Sequence, residues 1–565
     1  MKGDQDLIDR WKDAQAPLLP LLHEFHERDG YLSEAAMNAV SKGLRIPIAD
    51  LYGTVTFYHH FAREEGGFQA PRVCTGPVCC MNGAEAMLEQ IEGATPMPCS
   101  GRCDEPIPVL RGNTTLVGMA ADALESRETP VPPAAGEGIT ECVFANIRDP
   151  NRKTLAGYQA TGGYEALKKA LEMSPEAIID TVDASGLTGR GGAGFPTGRK
   201  WRAVLEAEDE SAGMHHGPLG KTVVCNADEG EPGCFKDRAL MDHDPHSLLE
   251  GMAIACLGTG AERAFLYLRY EYPETADLYE GAIAEAESAG ILGENAMGSG
   301  RTIRIYLRRG AGAYICGEET SLLNSLEGKH PFPRNRPPFP VTHGFEGTPT
   351  AVNNVETLCS IPPIISKGGD WYRGLGLGDH AGTKVISLSG DVARPGNYEV
   401  PLGLPLSTLI NEWAGGGRDG NAIQAVSMAG LSGGFLAGED MAVTLDEPSI
   451  RAKGSFLGAG GIMVFDETRD MIDISRMAME FFAHESCGKC FPCRIGTQRL
   501  TERLEGVAGP ADLTAWLDEV ADLNETMKKT SACGLGQAAP LVTESLVRYF
   551  PEAVAAHVAA SGRKA

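Results

Sequence analysis

Four cysteines near the end of the chain are spaced as metal ligands. Cys487, Cys490 and Cys493 fall within seven residues, and Cys533 lies forty residues later. Three thiolates at this spacing can occupy three corners of an iron-sulfur cubane, and a distant fourth closes the site from another helix. Structural zinc sites usually present two separated cysteine pairs instead. The spacing therefore favours a 4Fe-4S cluster over zinc or an unmetallated core.

A second set of four cysteines lies in the first quarter of the chain. Cys74 and Cys79 are separated by four residues, and Cys99 and Cys103 by three. These gaps are wider than those of a zinc knuckle and suit loops around a flatter 2Fe-2S centre, although zinc and structural thiols stay open as alternatives. Cys80 could in principle replace its neighbour Cys79. The remaining cysteines are predicted to be buried thiols.

Residues 186–201 are rich in glycine and contain a literal G-x-G-x-x-G at Gly189, Gly191 and Gly194. A Rossmann site needs a strand before this motif and a helix directly after it. Here the preceding residues 177–185 read as an amphipathic helix, and Pro196 interrupts the segment after the motif. The standard Rossmann interpretation is therefore rejected.

The same loop still suits a ligand. Its glycines let the backbone approach a flat, phosphorylated molecule, and Arg190 and Lys200 could place cations near the phosphate. The alternative is an ordinary surface loop.

Two acidic segments, 226–233 and 316–320, each come after an apolar run that reads as a strand. Carboxylates at strand ends can accept hydrogen bonds from ligand hydroxyls, because α/β sheets build ligand clefts there. Solvated turns are the alternative. Segments 337–340 and 353–358 are further possible ligand edges that could equally be structural.

Composition narrows the class of protein. The chain has 565 residues, a net charge of -26 and a pI near 5.0, which argues against nucleic acid as a partner. No apolar run approaches the roughly 18 residues needed to span a bilayer, so direct membrane insertion is not expected. The charged N-terminus lacks a secretory signal, which predicts a soluble, cytoplasmic protein.

Changes in composition and in the spacing of apolar residues along the chain predict several domains of mixed α/β and α+β class. The predicted units are a helical bundle at 1–70, a compact cysteine-bearing α/β unit at 71–123, a linker at 124–140, an α/β domain at 141–380, a small α+β module at 381–466 and a helical region at 467–565.

Taken in order, these segments resemble the NADH-binding flavoprotein subunit of respiratory complex I and its soluble relatives, fused behind the small 2Fe-2S subunit of the same systems. The resemblance rests on the glycine loop, the two acidic segments, residues 353–358, both cysteine sets and residues 46–58. It implies FMN, NAD(H), one 4Fe-4S and one 2Fe-2S cluster. The implied fold adds an abbreviated thioredoxin-like domain, a ubiquitin-like (SLBB) module and a helical bundle that carries the 4Fe-4S cluster.

The resemblance also implies roles for individual residues. FMN would be held by Gly189, Gly191, Gly192, Lys200, Asn226, Asp228, Gly317, Glu318, Asn353 and Asn354. NAD(H) would lie over it, with adenine stacked on Phe195 and Phe339 and ribose or carboxamide groups bound by Glu231 and Glu319, the latter also assigned as catalytic. Two departures are that only 19 residues separate Cys79 from Cys99, and that Ala203 and Arg336 replace residues found in some relatives.

The chain shows no evident site for a second substrate, so a separate subunit is expected to exchange electrons with it. By analogy, the shortened cluster domain with intact cysteines resembles the NAD-dependent formate dehydrogenases, in which the partner is a large iron-sulfur and molybdopterin (Mo or W) subunit. An NAD-reducing hydrogenase and complex I itself are the alternatives. A non-catalytic cluster scaffold is a further one, but it would have no use for the glycine loop and the acidic segments.

Overall fold

The computed structural model describes residues 2–208, 220–507, 510 and 512–561. The chain begins with helices whose apolar residues recur at helical spacing, so that Leu18, Leu22 and Phe25 are buried on one face. Ser33 caps the third helix by accepting a hydrogen bond from the amide of Ala36. The helices are α1 (Lys2–Trp11), α2 (Leu18–Asp29), α3 (Glu34–Leu44) and α4 (Ile48–Phe57).

A small four-stranded sheet comes next and carries the first cysteine set. Its strand order is β2-β1-β3-β4, with β1 parallel to β2 and antiparallel to β3. Its elements are β1 (Arg72–Cys74), α5 (Pro77–Met81), α6 (Ala84–Gln90), β2 (Thr95–Met97), β3 (Pro108–Arg111) and β4 (Thr114–Val117).

The largest unit is a parallel sheet surrounded by helices. Its strand order is β7-β6-β5-β8, and every pair is parallel. The strands are β5 (Thr222–Ala227), β6 (Arg263–Leu268), β7 (Arg304–Arg309) and β8 (Thr350–Asn354). The helices are α7 (Leu155–Ala160), α8 (Glu165–Leu171), α9 (Pro175–Ser185), α10 (Thr197–Glu206), α11 (Lys236–His243), α12 (Pro245–Thr259), α13 (Pro273–Ser288), α14 (Glu319–Leu326), α15 (Pro340–His343), α16 (Val355–Cys359), α17 (Ile361–Lys367) and α18 (Gly369–Arg373).

A five-stranded mixed sheet with the order β10-β9-β13-β11-β12 forms the next module. It contains β9 (Thr383–Gly390), β10 (Gly396–Pro401), β11 (Ile423–Met428), β12 (Phe435–Ala437), α19 (Glu447–Arg451) and β13 (Gly461–Asp466). The chain then continues in helices: α20 (Met471–His484), α21 (Phe491–Leu504), α22 (Leu513–Thr530), α23 (Gly534–Ala538), α24 (Pro540–Tyr549) and α25 (Pro551–Ser561).

These units confirm the predicted multidomain fold class, while the exact domain limits stay predictions. Helix α9 confirms the helix expected before the glycine loop, which excludes a Rossmann arrangement at this point. Within the described residues, no helix combines the length and the apolar character needed to cross a membrane.

Candidate functional site

Several of the predicted ligand-binding segments meet at the carboxyl ends of β5 and β8, a region called the crevice below. The chain runs from β5 through β6 to β7 on one side and returns to place β8 on the other side of β5. This reversal is a topological switch point, where open α/β sheets bind ligands. Asn226 at the end of β5 pairs in register with Asn354 at the end of β8, so the two predicted segments lie side by side.

The glycine loop lies against this crevice. The Gly189 amide donates to the Phe195 carbonyl at 2.9 Å, which closes the loop on itself. A Cβ placed on Gly191 would lie 3.0 Å from Cβ of Asn354, and Gly192 has a φ of 119°, a region that favours glycine. The loop backbone therefore lies close to the end of β8, and a side chain at position 191 would need Asn354 to shift.

The two cations predicted to lie near a phosphate, Arg190 and Lys200, have different surroundings. The Arg190 guanidinium is buried and donates to the Tyr372 hydroxyl at 2.8 Å, so Arg190 is engaged in the protein interior rather than offered to a ligand. Nζ of Lys200 donates to the Val352 carbonyl at 3.0 Å and lies 3.4 Å from Oε2 of Glu319. Of these two cations, Lys200 is the one that lies at the crevice.

Asn226, Asp228 and Gly317 lie together at the carboxyl end of β5. The Asn226 amide donates to the Gly317 carbonyl at 2.9 Å, and Oδ1 of Asn226 accepts from the Asp228 amide at 3.1 Å. Asp228 is partly buried, and within the described part of the chain its buried Oδ2 has no hydrogen-bond partner. Burial raises the pKa of Asp228 well above its usual range. A buried acceptor without a partner fits a ligand that donates hydroxyl hydrogen bonds, such as a ribityl chain.

Glu318 and Glu319 begin α14 and have separate partners. Oε2 of Glu318 caps the helix by accepting the amides of its first turn, and Oε1 pairs with Arg336. The Glu319 carboxylate lies between Lys200 and Arg336, 3.5 Å from the latter. Glu319 thus stays at the edge of the crevice with about a quarter of its side chain exposed (27%).

Asn353 and Asn354 make structural contacts with their side chains. Oδ1 of Asn353 accepts from Nε1 of Trp201 at 2.9 Å. Asn354 caps α16, and its side-chain amide donates to Oδ2 of Asp237 at 2.5 Å. Nζ of Lys236 lies 3.3 Å from Oδ1 of Asn354. These contacts hold the two asparagine side chains in place. Their roles in binding FMN stay predictions.

Glu231 joins the parallel sheet to the five-stranded module. Its Oε1 accepts the amides of Leu431 and Ser432 at 2.8 and 3.0 Å, and its Oε2 accepts the hydroxyls of Ser432 and Tyr314. The predicted contact of Glu231 with NAD(H) stays a prediction. It would require the carboxylate to exchange some of these bonds.

Phe195 and Phe339 are both half-exposed, at 48% and 51%. Rings of this size are normally buried, so their open faces are available to a flat ligand. This observation supports the predicted adenine contact, which itself stays a prediction.

The first cysteine set converges on one buried point. Cys74 ends β1, Cys79 lies in α5, and Cys99 and Cys103 lie in the loop after β2, with their two Sγ atoms 3.5 Å apart. Cys74 contacts both Cys79 and Cys99 through its thiol. The Cys80 thiol instead donates to the Thr75 carbonyl at 3.3 Å, so it does not replace Cys79.

The second cysteine set lines a single cavity. Cys487, Cys490, Cys493 and Cys533 all face it, together with apolar Ile315 and Leu535. Cys490 and Cys533 directly precede α21 and α23. Helix N-termini favour anionic groups, and four thiolates around an apolar cavity fit an iron-sulfur cubane.

Sequence reasoning missed the buried charges that hold these parts together. Arg238 pairs with Asp104 at 2.6 Å and Glu105 at 2.9 Å, directly after the last ligand of the first cysteine set. Lys236 pairs with Asp237 at 2.6 Å under the crevice. The only signal in the sequence was a run of adjacent charges at 236–238, which is far more often a solvated surface.

The chain is similar to known proteins. The chain is 43% identical over 420 residues to the F 2 subunit of NADH-quinone oxidoreductase from Rhizobium meliloti (strain 1021), spanning 74% of this chain and 97% of that protein. The chain belongs to the family of NADH-quinone oxidoreductase F subunits. It matches the Nuo51 FMN-binding domain at 182–363, the NADH-ubiquinone oxidoreductase-F iron-sulfur binding region at 473–557, a thioredoxin-like [2Fe-2S] ferredoxin at 5–111 and an SLBB domain at 385–441.

Two further relatives span nearly the whole chain. The alpha subunit of the NAD-reducing hydrogenase HoxS of Cupriavidus necator is 33% identical over 578 residues, covering 97% of this chain and 92% of that protein. The crystal structure of an air-oxidized NAD+-reducing [NiFe]-hydrogenase superposes with a TM-score of 0.78 and 31% identity, covering 97% of this chain and 94% of its own. The predicted fusion and the cofactors FMN, NAD(H), 2Fe-2S and 4Fe-4S are confirmed. The chain is an NAD(H)-dependent oxidoreductase of the diaphorase type.

Proposed function

We propose that this chain exchanges electrons between NAD(H) and a partner subunit, with FMN in the crevice and one cluster at each cysteine set. Nicotinamide exchanges two electrons as hydride, an iron-sulfur cluster exchanges one, and a flavin can do both, so the bound groups supply the conversion. The protein residues bind these groups, orient them and limit access of water.

The residues divide this work by position. Gly191 and Gly192 allow the loop backbone to approach the flavin, and Lys200 supplies positive charge for its phosphate. Asp228 offers a buried acceptor to the ribityl hydroxyls. Glu319, held between two cations at the crevice edge, orients the nicotinamide side of NAD(H).

One observation carries this proposal: the glycine loop, the acidic segment after β5 and the segment before α14 meet at the switch point of the parallel sheet. Gly191→Val tests it, because the added side chain would be forced against Asn354 and into the crevice. Overpacking of about 1–3 kcal/mol would weaken FMN binding roughly 5- to 150-fold. The measurement is FMN affinity and flavin content of the purified protein.

Gly281→Ala is the matched control, because a methyl group on this residue of α13 meets nothing within 4 Å. It should leave flavin content unchanged, and both variants should keep their iron. Unaltered FMN affinity in Gly191→Val would contradict the placement of the flavin. NADH oxidation with ferricyanide, an artificial acceptor, reports whether the flavin and NAD(H) sites work together in one chain.

We further propose formate as the electron source, oxidised in a large molybdopterin and iron-sulfur partner of the kind expected from the sequence. The support is the shortened cluster domain with all four cysteines intact. Hydrogen is the second candidate, since a subunit named as part of an NAD-reducing hydrogenase matches almost the whole chain.

Purification of the native complex tests both candidates. Formate-dependent and hydrogen-dependent reduction of NAD+ are assayed side by side, and the co-purifying subunit is identified. Activity with hydrogen and none with formate would replace the formate proposal by the hydrogenase one. Quinone-linked oxidation of NADH in membranes would favour a complex I role.

A further inference from the structure

One buried guanidinium connects the flavin crevice to the loop that carries the first cysteine set. Arg269 comes directly after β6 and is only 4% exposed. Its Nη2 donates to the carbonyl oxygen of Cys99 at 2.7 Å, and its Nη1 donates to the carbonyl oxygen of Glu229. Glu229 is the residue after Asp228, so a single side chain touches both sites.

The contact between Arg269 and the cysteine loop is tight. The guanidinium lies over the Tyr272 ring, 5.0 Å from its centroid, and the Tyr272 hydroxyl donates to the Gly101 carbonyl at 3.4 Å. A Cβ on Gly101 would lie 2.1 Å from the Tyr272 hydroxyl and 3.0 Å from Nη1 of Arg269. The loop between Cys99 and Cys103 therefore cannot move away from Arg269 without breaking these contacts.

Arg269 pairs with a carboxylate of its own segment. Glu271 accepts from Nε at 3.0 Å and lies 2.9 Å from Nη2, and both side chains are less than 10% exposed. The cation thus faces the cysteine loop while its counter-charge lies two residues further along the chain. Each charge of the pair can be removed by a separate substitution that leaves all four cysteines in place.

We propose that the Arg269–Glu271 pair sets the reduction potential of the cluster held by Cys74, Cys79, Cys99 and Cys103, with Arg269 as a positioning residue for the Cys99 loop. This inference rests on the proposed function, because it needs a 2Fe-2S cluster at that set. Reduction adds one electron and therefore one negative charge to the cluster.

The sign of each effect is set by electrostatics. A fixed cation beside a ligand loop stabilises the reduced cluster, and a nearby carboxylate opposes it, and both act strongly where water is excluded. Neutralising Arg269 should therefore lower the potential, and neutralising Glu271 should raise it. A role limited to holding the loop gives no reason for opposite signs.

The experiment is a redox titration of the full-length holoprotein, monitored by EPR of the 2Fe-2S signal. At the wild-type midpoint, Arg269→Gln should lower the ratio of reduced to oxidised cluster about tenfold, which is 59 mV for a one-electron couple. Glu271→Gln should raise the ratio by a similar factor. Arg269→Lys keeps the charge and should stay within about threefold of wild type.

Arg308→Gln is the matched control, because Arg308 is a buried arginine of the same sheet whose guanidinium donates to the carbonyls of Gln15 and Leu307. It should leave the midpoint unchanged. Shifts of the same sign in Arg269→Gln and Glu271→Gln, or none larger than in the control, would overturn the inference.

Two outcomes need to be distinguished. If Arg269→Gln loses the cluster, Glu271→Gln decides, and an unshifted potential in that variant overturns the inference. If the wild type itself shows no 2Fe-2S signal, the proposed cluster and this inference fall together. If the wild type shows a normal signal and the variants keep the wild-type potential, the inference is overturned and the proposed function is unaffected.

Discussion

Glu231 is predicted to bind NAD(H), but its carboxylate is hydrogen-bonded within the protein. An experiment on this residue can distinguish the predicted role from the observed one. Its carboxylate binds the amides of Leu431 and Ser432 at 2.8 and 3.0 Å. A hydrogen bond to a charged group contributes about 1.5–3 kcal/mol. Glu231→Ala should therefore make local opening of the 431–432 turn easier by that amount for each amide, or roughly 10- to 150-fold in population.

Hydrogen exchange measured by mass spectrometry reports this opening, because protected amides exchange through local unfolding. Exchange of the peptide containing residues 431–432 should accelerate by the factor given above, while peptides from β9 should not change. Tyr314→Phe is the control, since it removes the hydroxyl contacts to Glu231 and to Oγ of Ser432 and leaves both backbone amides bonded to Glu231. It should leave exchange at 431–432 close to wild type.

The result also bears on NAD(H). If Glu231 exchanges its bonds to bind the cofactor, saturating NAD+ should speed exchange of the same turn in the wild type and have no such effect in Glu231→Ala. Exchange in Glu231→Ala that stays within about threefold of wild type would refute the reasoning, because the amides would then not depend on the carboxylate.

Three further predictions address the cofactor sites. The holoprotein should contain close to six iron atoms, and Cys490→Ser should lose the 4Fe-4S EPR signal while FMN remains; an unchanged spectrum contradicts the ligand assignment. Glu319→Gln should raise KM for NADH while flavin content is retained, and steady-state kinetics together with flavin fluorescence check both. Arg238→Met should destabilise the contact with Asp104 and Glu105 by about 3–5 kcal/mol, because it leaves the buried Asp104 carboxylate without its cation, whereas Glu105 keeps Arg102 at 3.5 Å. Faster loss of the 2Fe-2S signal in urea measures this effect, and equal loss in wild type contradicts it.

The parts of the fold that the sequence predicted are those set by local pattern. The helix before the glycine loop has apolar residues at helical spacing, and Ser174 caps it. The apolar run expected to be a strand before the acidic segment 226–233 is β5. The pattern of apolar residues within each of these elements determines which of its side chains are buried. The local sequence was therefore sufficient to predict them.

The contacts that the sequence could not predict join residues far apart in the chain. Arg269 meets Cys99 across 170 positions, and Glu231 meets Ser432 across 201. No periodicity links such pairs, and a single arginine or glutamate has the same local appearance at a solvated surface. The predicted role of Arg190 near a phosphate lacks support for the same reason, because its partner Tyr372 lies 182 positions away.

The buried charges explain why the three cofactor regions can be built from separate modules and still keep fixed positions. Lys384 of β9 and Lys236 of α11 both pair with Glu356 of α16, at 2.5 and 3.0 Å, directly behind the crevice. Burying such pairs adds little net stability, because the desolvation of each charge offsets their attraction. A misplaced module would leave one of these charges unpaired, which is far more costly than a loosely packed apolar contact. The pairs therefore act mainly on geometry: they fix the crevice of the parallel sheet against the SLBB module, as Arg269 and Arg238 fix it against the first cysteine set.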